Sequence, residues 1–431
     1  MLALLFISFI VLCILRVPIA FSLILSCVFV IIMDGSIPLT IVMQRLWVGL
    51  NNFPLLAIPF FLFMGLLMNH SGTSERLIDL SHSLVGHLKG GLANINVVVS
   101  MIFAGISGSS TADTAGVGSV MIPAMTKSGY SRGFAVGLTA ASSTLGNIIP
   151  PSILMIIYAA TAGISVGGLF LAGIIPGILL GGAQLLYSRH VAGREGIATT
   201  GKFSTTKLLR SVRLSALALA IPIIIIGGIM GGIFTATEAS VVAVLYAGVL
   251  AWLYRQTTFK ILYGVVNESI IMVSLALFCA AAASVWGWML AFYNVPQEMV
   301  QIFKEAGLLS SQYYIFAFTV AIFLLVGTFM DAIPAIIILQ PIVGEIVTEA
   351  GINPYHIGVV IVLALAIGLI TPPYGLCLLI ASDIGKIPVM KVIRPLLPFF
   401  LISFIIVLIA VFLPDLVLFI PRWAMPEYFI N

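Results

Sequence analysis

Eleven long apolar segments follow one another along this 431-residue chain and leave little sequence between them. Hydrophobic residues make up 61% of the chain and charged residues only 8%, against roughly 25% charged in an ordinary soluble domain. So few charges cannot build a water-facing surface, which excludes a soluble enzyme, a nucleic-acid-binding protein and a disulfide-stapled domain. Because about 20 apolar residues span a bilayer as a helix, the sequence predicts an all-α, multi-pass membrane protein. The segments are 2–32 (interrupted at 16–18), 54–69, 92–125, 131–160, 168–187, 214–232, 235–254, 265–291, 312–342, 355–382 and 389–413.

Four of these segments depart from a simple spanning helix. Segments 92–125 and 312–342 are too long for one crossing and contain Gly, Ser, Thr or Asp near their centres. Segments 131–160 and 355–382 are each broken by a pair of prolines, which remove helix hydrogen bonds. Lipid cannot satisfy loose backbone, so such interruptions persist where they are buried in protein or line a polar cavity.

Residues that govern backbone shape recur at a constant offset of 222, which predicts two homologous halves. Matched positions include Gly105 and Gly327, Gly146 and Gly368, and the pairs Pro150-Pro151 and Pro372-Pro373. We divide the chain into an N-terminal transmembrane segment (1–40), a first repeat (41–190) with a hairpin at 92–126 and a broken helix at 131–160, a basic cytoplasmic loop with linking helices (191–262), a second repeat (263–415) with a hairpin at 312–348 and a broken helix at 355–382, and a C-terminal tail (416–431).

The placement of basic residues predicts how the halves lie in the membrane, because cytoplasmic loops collect Lys and Arg. The polar stretch 188–213 contains six Lys or Arg residues against one Glu, so we place it in the cytoplasm. Counting spans from there makes the first hairpin open toward the cytoplasm and the second open outward. Inverted repeats with interrupted helices are typical of transporters. Residues placed in the cytoplasm are Lys127, Arg132, Arg255, Lys260, Lys386, Lys391 and Arg394; those placed outside are Glu345 and Glu349.

Polar side chains cluster at the middle of both hairpins. At the offset of 222, Ser109 matches Asp331, so both hairpins have an oxygen-bearing side chain at the same place. Small polar residues also hold helices together, which explains one or two of them but not a cluster in both halves. Intramembrane carboxylates, here Asp113 and Asp331, indicate a functional site. The first cluster comprises Ser107, Ser109, Ser110, Thr111, Asp113 and Thr114.

The broken helices read GNIIPPS at 146–152 and GLITPPY at 368–374. Paired prolines after a glycine would free several carbonyl oxygens, which suit Na⁺, whereas the N-termini of half-helices suit a carboxylate. The alternative is a structural kink at each site.

Two other functions are compatible with parts of this pattern. Two carboxylates about 3–5 Å apart permit acid–base chemistry, so Asp113 and Asp331 could serve an intramembrane enzyme. A passive channel would need a continuous pore, whereas the repeat favours alternating access. Residues 196–202 have the spacing of a phosphate-binding loop, but Phe203 stands where such a loop needs Ser or Thr. We therefore expect a transporter without an ATP site, and no enzyme.

These motifs together resemble the DctM-type large membrane subunit of tripartite ATP-independent periplasmic (TRAP) transporters, over nearly the whole chain. The resemblance implies the elevator-type fold of the ion-transporter superfamily, with a static scaffold and a sliding transport domain. It implies Na⁺-driven uptake of an organic acid across the bacterial inner membrane. It also implies two partners, a small four-helix membrane subunit (DctQ or SiaQ type) and a soluble periplasmic substrate-binding protein (DctP or SiaP type). The stretches that support it are 53–61, 105–118, 146–151, 329–334 and 368–373.

The resemblance further implies site residues, with Na⁺ as the coupling ion and no organic cofactor. No Lys or Arg lies within the expected cavity, so helix N-termini, hydroxyls and Na⁺ would supply the positive potential. The substrate would be sialic acid or a C4-dicarboxylate, with a slight preference for sialic acid; a stand-alone Na⁺/anion symporter is an alternative. The first Na⁺ site would use Ser107, Ser109, Gly146, Ile149 and Pro151, the second Gly327, Thr328, Met330, Gly368, Thr371 and Pro373, and the substrate would contact Ser110, Thr111, Asp113, Asn147, Asp331 and Tyr374.

Overall fold

The computed structural model describes residues 1–194, 201, 203–254 and 257–428, and every regular element in these ranges is helical. The prediction of an all-α membrane protein is confirmed, because seven helices of the described ranges are long and apolar enough to cross a bilayer. The first ten helices are α1 (Leu2–Ile14), α2 (Ile19–Asp34), α3 (Thr40–Leu50), α4 (Ala57–His70), α5 (Thr73–Val85), α6 (Gly91–Ser107), α7 (Ser110–Lys127), α8 (Arg132–Ser143), α9 (Ile153–Ala162) and α10 (Val166–Arg194).

The remaining helices are α11 (Thr205–Met230), α12 (Ala236–Tyr254), α13 (Phe259–Phe292), α14 (Val295–Glu305), α15 (Gln312–Gly327), α16 (Ala332–Glu349), α17 (Pro354–Gly368), α18 (Leu376–Gly385), α19 (Val389–Phe412) and α20 (Pro414–Ala424). Short 3₁₀ turns occupy Phe53–Leu56, Thr144–Asn147, Leu308–Ser310 and Pro426–Tyr428.

The four unusual segments fold as the sequence predicts. Helices α6 and α7 pack together as hairpin 1, and α15 and α16 pack together as hairpin 2. Helices α8 and α9 form the first broken helix, and α17 and α18 form the second, each interrupted around its proline pair. The bounds of α7 and α16 differ by 222 at both ends, so the repeat seen in the sequence is also a repeat of structure.

The two repeats are inverted, as the contacts of α10 show first. This helix of 29 residues is about 43 Å long, enough to cross a bilayer. Near its start, Gly168 packs on Tyr355. Tyr355 lies at the start of α17, a few residues after the open end of hairpin 2. Near its end, Arg189 packs on Gly90, at the open end of hairpin 1. The open ends of the two hairpins therefore lie at opposite ends of one spanning helix.

Helix α19 corresponds to α10 at the same offset and runs in the opposite direction. At its start, Lys391 lies against Gly133, the second residue of α8, which follows the open end of hairpin 1. At its end, Ala410 accepts a hydrogen bond of 2.7 Å from the ring Nε2 of His356 in α17, beyond hairpin 2. Equivalent helices of opposite direction define an inverted repeat.

The broken helices form the centre of the molecule. Every residue of α17 after Pro354 is buried, and so is every residue of α8 after Arg132. These two helices are therefore surrounded by other helices on every side and present no face to lipid or water.

Some expectations need correction. The polar stretch 188–213 is mostly helical, because α10 extends to Arg194 and Ser204 caps α11 by accepting a hydrogen bond of 3.4 Å from Lys207 N. The expected C-terminal tail begins with helix α20. The amphipathic helices α5 and α14 were not predicted, since they are too polar to be spans. Residues 196–200 and 202 of the motif with the spacing of a phosphate-binding loop lie outside the described residues, and so does Arg255.

Candidate functional site

The tip of hairpin 1 is built by two residues between α6 and α7. Gly108 ends α6 with a φ of +64°, a conformation that disfavours a side chain. A Cβ there would also come within 2.7 Å of the carbonyl oxygen of Pro151. Ser109 is extended and caps α7, since its hydroxyl accepts a hydrogen bond of 3.4 Å from Ala112 N. The tip thus requires glycine followed by a capping residue.

Hairpin 1 and the first broken helix hold each other in place. Ile153 N, at the start of α9, donates a hydrogen bond of 3.1 Å to Gly108 O. Ser110 N, at the start of α7, donates one of 3.2 Å to the side-chain Oδ1 of Asn147. Both bonds use backbone groups that a helix end leaves without intrahelical partners. Hydrogen bonds between the tip of hairpin 1 and the first break therefore satisfy backbone groups at the helix ends of both elements.

The first predicted group of Na⁺ ligands is brought together here. Ser107, Ser109, Gly146 and Pro151 all lie where the tip meets the break; Ile149 is in the break as well, with its side chain against Gly177 of α10.

Asp113 joins this group. The hydroxyl of Ser107 donates a hydrogen bond to Asp113 Oδ1. Asp113 Oδ2 is buried next to Gly146 and has no hydrogen-bond partner among the described residues.

The second predicted group forms an equivalent junction between hairpin 2 and the second broken helix. The backbones of Gly327 and Gly368 touch so closely that a Cβ on Gly368 would lie 2.8 Å from Gly327 Cα. Tyr374 N donates a hydrogen bond of 3.1 Å to Thr328 O.

Two hydroxyls of this junction keep lone pairs free. Thr328 Oγ1 donates to Leu325 O and Thr371 Oγ1 donates to Ile367 O, both at 2.7 Å. Because each hydroxyl hydrogen is used, the oxygen can still accept or bind a cation. Met330 N bonds to Val326 O at 3.1 Å, so the backbone turns back at the tip.

A cavity of about 350 Å³ lies between the two tips. Four of the six predicted substrate residues line it: Ser110, Thr111, Asn147 and Asp331. Asp113 does not line it, because it is fully buried with Ser107. Tyr374 is not among the lining residues either, and its side chain is 39% exposed. The tips and the first break thus present hydroxyls, an amide and one carboxylate to the same space.

Helix N-termini converge on this cavity. No Lys, Arg or His is among the described residues that line it, as expected from the sequence. Each helix N-terminus has the equivalent of about half a positive charge, which favours an anion nearby. The first residues of five helices form part of the wall: Ile19 of α2, Ser110 of α7, Ile153 of α9, Ala332 of α16 and Leu376 of α18.

The apolar side of the cavity was not predicted. Leu62 of α4 and Met272, Leu275, Ala276 and Cys279 of α13 form it. Such residues look like any other spanning-helix residues, and only tertiary packing identifies them. Of the two acids proposed for an enzyme, only Asp331 faces the cavity, and no cluster of three metal-ligating side chains occurs in the described part of the chain.

Comparison with known families gives a match over most of the chain. The family described as "Tripartite ATP-independent periplasmic transporter, DctM component" matches residues 6–416. The chain is 35% identical to the sialic acid TRAP transporter large permease protein SiaM of Vibrio cholerae, over 94% of this chain and 95% of that protein. It is 39% identical to the C4-dicarboxylate TRAP transporter large permease protein DctM of Pseudomonas aeruginosa, over 86% and 87% of the two chains.

Two further comparisons extend this picture. The 2,3-diketo-L-gulonate TRAP transporter large permease protein YiaN of Escherichia coli is 36% identical, over 94% of this chain and 95% of that protein. Among solved structures, the YdaH transporter of Alcanivorax borkumensis superposes with a TM-score of 0.54 over 88% of this chain and 89% of that chain. At 18% identity this last likeness concerns the fold alone.

Proposed function

Because the chain belongs to the DctM family of tripartite ATP-independent periplasmic transporters, as a large permease subunit, we propose that it moves an organic acid across the bacterial inner membrane by Na⁺ symport. The observation that supports this most is the cavity between the hairpin tips, where five helix N-termini converge without a basic side chain. The partial positive charge of these helix ends favours a carboxylate there, without the strong, slowly released pairing that a buried Arg would make.

The first Na⁺ would bind where hairpin 1 meets the first break. Its ligands would be the hydroxyls of Ser107 and Ser109 and the carbonyls of Gly146, Ile149 and Pro151. The close packing of Gly108 on Pro151 supports this proposal, because it brings both sets of oxygens to one place. The unpaired Oδ2 of Asp113 would add negative charge beside the ion.

The second Na⁺ would bind at the twin junction. Its ligands would come from the backbone of Gly327, Met330, Gly368 and Pro373 and from the hydroxyls of Thr328 and Thr371. Support comes from the two threonine hydroxyls, whose hydrogens already point to backbone carbonyls and whose oxygens remain free. Oxygen ligands of this kind suit a hard cation.

The substrate would lie against Ser110, Thr111, Asn147 and Asp331. The hydroxyl of Ser110 is buried and has no partner among the described residues, so a bound acid would supply the missing hydrogen bond. The substrate would be sialic acid or a C4-dicarboxylate. Relatives named for both acids match this chain about equally well, so the cavity residues will decide.

Transport would follow an elevator motion with two partners. Hairpins 1 and 2, the broken helices and α10 and α19 would slide as one unit against a scaffold that includes α13. The periplasmic binding protein would deliver the acid, and the small membrane subunit would complete the scaffold.

Reconstitution in liposomes tests this function. The chain, the small subunit and a binding protein loaded with sialic acid or a C4-dicarboxylate should accumulate the acid under an inward Na⁺ gradient. Uptake should stop when Na⁺ is replaced by K⁺ or when the binding protein is omitted. Equal uptake by the chain alone would instead identify a stand-alone symporter, and chemical conversion of the acid would identify an enzyme.

A further inference from the structure

Two equivalent glycines of the scaffold contact the two hairpins at different heights. Gly65 of α4 and Gly287 of α13 are related by the offset of 222, and α4 packs on α13. A Cβ on Gly65 would lie 3.1 Å from Ser107 Cα, at the tip of hairpin 1. A Cβ on Gly287 would lie 3.4 Å from Pro341 Cγ, in the middle of α16 and away from the tip of hairpin 2. The two halves are therefore alike in fold but not in the contact between scaffold and hairpin.

Exchanging these contacts between the halves defines a second arrangement of the same chain. Gly65 would then face Ser119 in the middle of α7, and Gly287 would face Phe329 at the tip of hairpin 2. Both partners are available, since Ser119 is exposed and Phe329 is 63% exposed. Covering an exposed aromatic ring is favourable. Both changes move the hairpins outward by half the length of an 18-residue helix, about 14 Å.

A second cavity, of about 390 Å³, lies at the start of α10, the outward end of that helix in the proposed orientation. Phe53 and Pro54, which precede α4, line it together with 164–167, which follow α9. At the offset of 222, Phe53 and Pro54 correspond to Leu275 and Ala276, which line the first cavity with the hairpin tips. Equivalent parts of the scaffold thus face the tips in one half and the far end of α9 in the other.

Helix α9 gives the distance between the two cavities. Its first residues, Ile153 and Leu154, line the first cavity, and Ile164, just beyond its end, lines the second. Ten residues of helix are about 15 Å long. An outward shift of this size would carry the start of α9 and the neighbouring tips to Phe53 and Pro54. The hairpin contacts and the length of α9 therefore agree on the same displacement.

We propose that Phe53 and Pro54 form the scaffold wall of the substrate site in an outward-facing state, reached when the moving unit shifts outward by about 14 Å. This rests on the elevator motion of the proposed function and adds the residues against which the acid lies before it crosses. In that state Gly287 covers Phe329. An apolar wall again faces the polar tips, as in the present state, so the polar groups of the acid stay directed at the moving unit.

Distances between spin labels on the scaffold and on the moving unit test the proposal. Two pairs related by the offset of 222 are placed in a chain without native cysteines, in nanodiscs with the small subunit. The inner pair is His70→Cys with Lys127→Cys, and the outer pair is Phe292→Cys with Glu349→Cys. In the present state the inner distance should be the longer one, because the end of α7 extends beyond the end of α4 when Gly65 faces the tip.

Outward movement should shorten the inner distance and lengthen the outer one, so that the two distances exchange. Spectra in K⁺, in Na⁺, and in Na⁺ with sialic acid or a C4-dicarboxylate should contain both states in different proportions. The pair Lys127→Cys with Lys391→Cys, inside the moving unit, is the control and should not change. One unchanging distance for each pair in all conditions, or changes of the same sign in both pairs, would overturn the proposal.

A third pair of labels locates the wall. Phe53→Cys and Ile164→Cys line the same cavity in the present state, and their distance should grow whenever the inner distance shortens. If they stay close while the other two distances exchange, Phe53 and Pro54 are not the outward wall. Accumulation of an acid in liposomes without any exchange of distances would refute this inference and leave the proposed function standing. Exchange of the distances without accumulation of either acid would support the second state and refute the proposed function.

Discussion

Gly146 lies directly against the carboxylate of Asp113, so that a Cβ on the glycine would come within 2.5 Å of Asp113 Oδ2. It would also come within 3.0 Å of the backbone of Ser109 and Ser110, which cannot move without disturbing the tip of hairpin 1. The glycine is therefore a condition for the junction between tip and break.

Gly146→Ala should separate this junction and weaken the first ion site. Overpacking of this kind costs about 1–3 kcal/mol, and 1.4 kcal/mol is tenfold in affinity. The Na⁺ concentration for half-maximal uptake should rise about tenfold or more. Gly248→Ala in α12 is the control, since a Cβ there meets nothing within 4 Å. Wild-type Na⁺ dependence in both variants would disconnect Gly146 from the ion site.

Ser109→Ala separates ion binding from helix capping. It removes a proposed ligand and also the cap of α7, and loss of such a cap costs about 0.5–2 kcal/mol of stability. Ser131→Ala is a matched control, because Ser131 caps α8 by accepting a hydrogen bond of 3.2 Å from Phe134 N. Ser131 lies beyond the open end of hairpin 1 and is not a proposed ion ligand. Both variants should lose similar thermal stability, and only Ser109→Ala should need about tenfold more Na⁺. Equal Na⁺ dependence would leave Ser109 with a structural role alone.

Thr371→Ala tests the second ion site in the same way. Thr371 and Thr348 each donate a hydrogen bond to the carbonyl four residues earlier, at 2.7 and 2.8 Å. Removing either hydroxyl deletes the same kind of local hydrogen bond, but only Thr371 lies at the second break. Flux assays should show a raised Na⁺ requirement for Thr371→Ala, by about 1–3 kcal/mol of ion affinity, and none for Thr348→Ala. A shift in both variants would indicate a general effect of the helices.

The local architecture of the site was predictable because glycine and proline determine it. The proline pairs leave few backbone solutions and the polar clusters mark the middle of each hairpin, so the breaks and the hairpin tips could be placed within a few residues. The offset of 222 then supplied the second copy, and helices α7 and α16 confirm it at both bounds.

Contacts between distant elements were not predictable. Asp113 was expected at the substrate, yet it turns toward Ser107 and Gly146, since it lies one turn into α7 on the side that packs on the first break. The wall from α13 depends on tertiary packing, which periodicity in a uniformly apolar chain does not reveal.

Labelling from the two sides of the membrane should establish the orientation of the hairpins. In cells producing a chain without native cysteines, an impermeant maleimide should modify Glu345→Cys and leave Lys127→Cys unmodified. Both residues are exposed at open ends of the hairpins, 127 on the basic side and 345 on the acidic side. Permeabilised cells should label at both positions, which controls for reactivity. Labelling of both positions in intact cells would be incompatible with the inverted orientation.

A reversible cross-link should decide whether hairpin 2 slides past α13. A Cβ on Gly287 of α13 would lie 3.4 Å from Pro341 Cγ in α16, so cysteines at these two positions would face each other across the contact between α13 and hairpin 2. The pair Gly287→Cys with Pro341→Cys, in a chain without native cysteines, should lose uptake on oxidation and regain it on reduction. The elevator motion predicts this because the bond joins the moving unit to the scaffold.

The matched control is a cross-link inside the moving unit. A Cβ on Gly133 of α8 would lie 4.0 Å from Pro395 Cβ in α19, a separation that a disulfide spans, so the pair Gly133→Cys with Pro395→Cys should close. If α8 and α19 travel together, oxidation of this pair should leave uptake nearly unchanged, as should oxidation of each single variant. Both pairs replace one glycine and one proline, but one joins the moving unit to the scaffold and the other joins two parts of the moving unit. Continued uptake with the Gly287–Pro341 pair closed would mean that transport needs no displacement between α13 and hairpin 2, and the substrate would then have to cross by local opening of the tips.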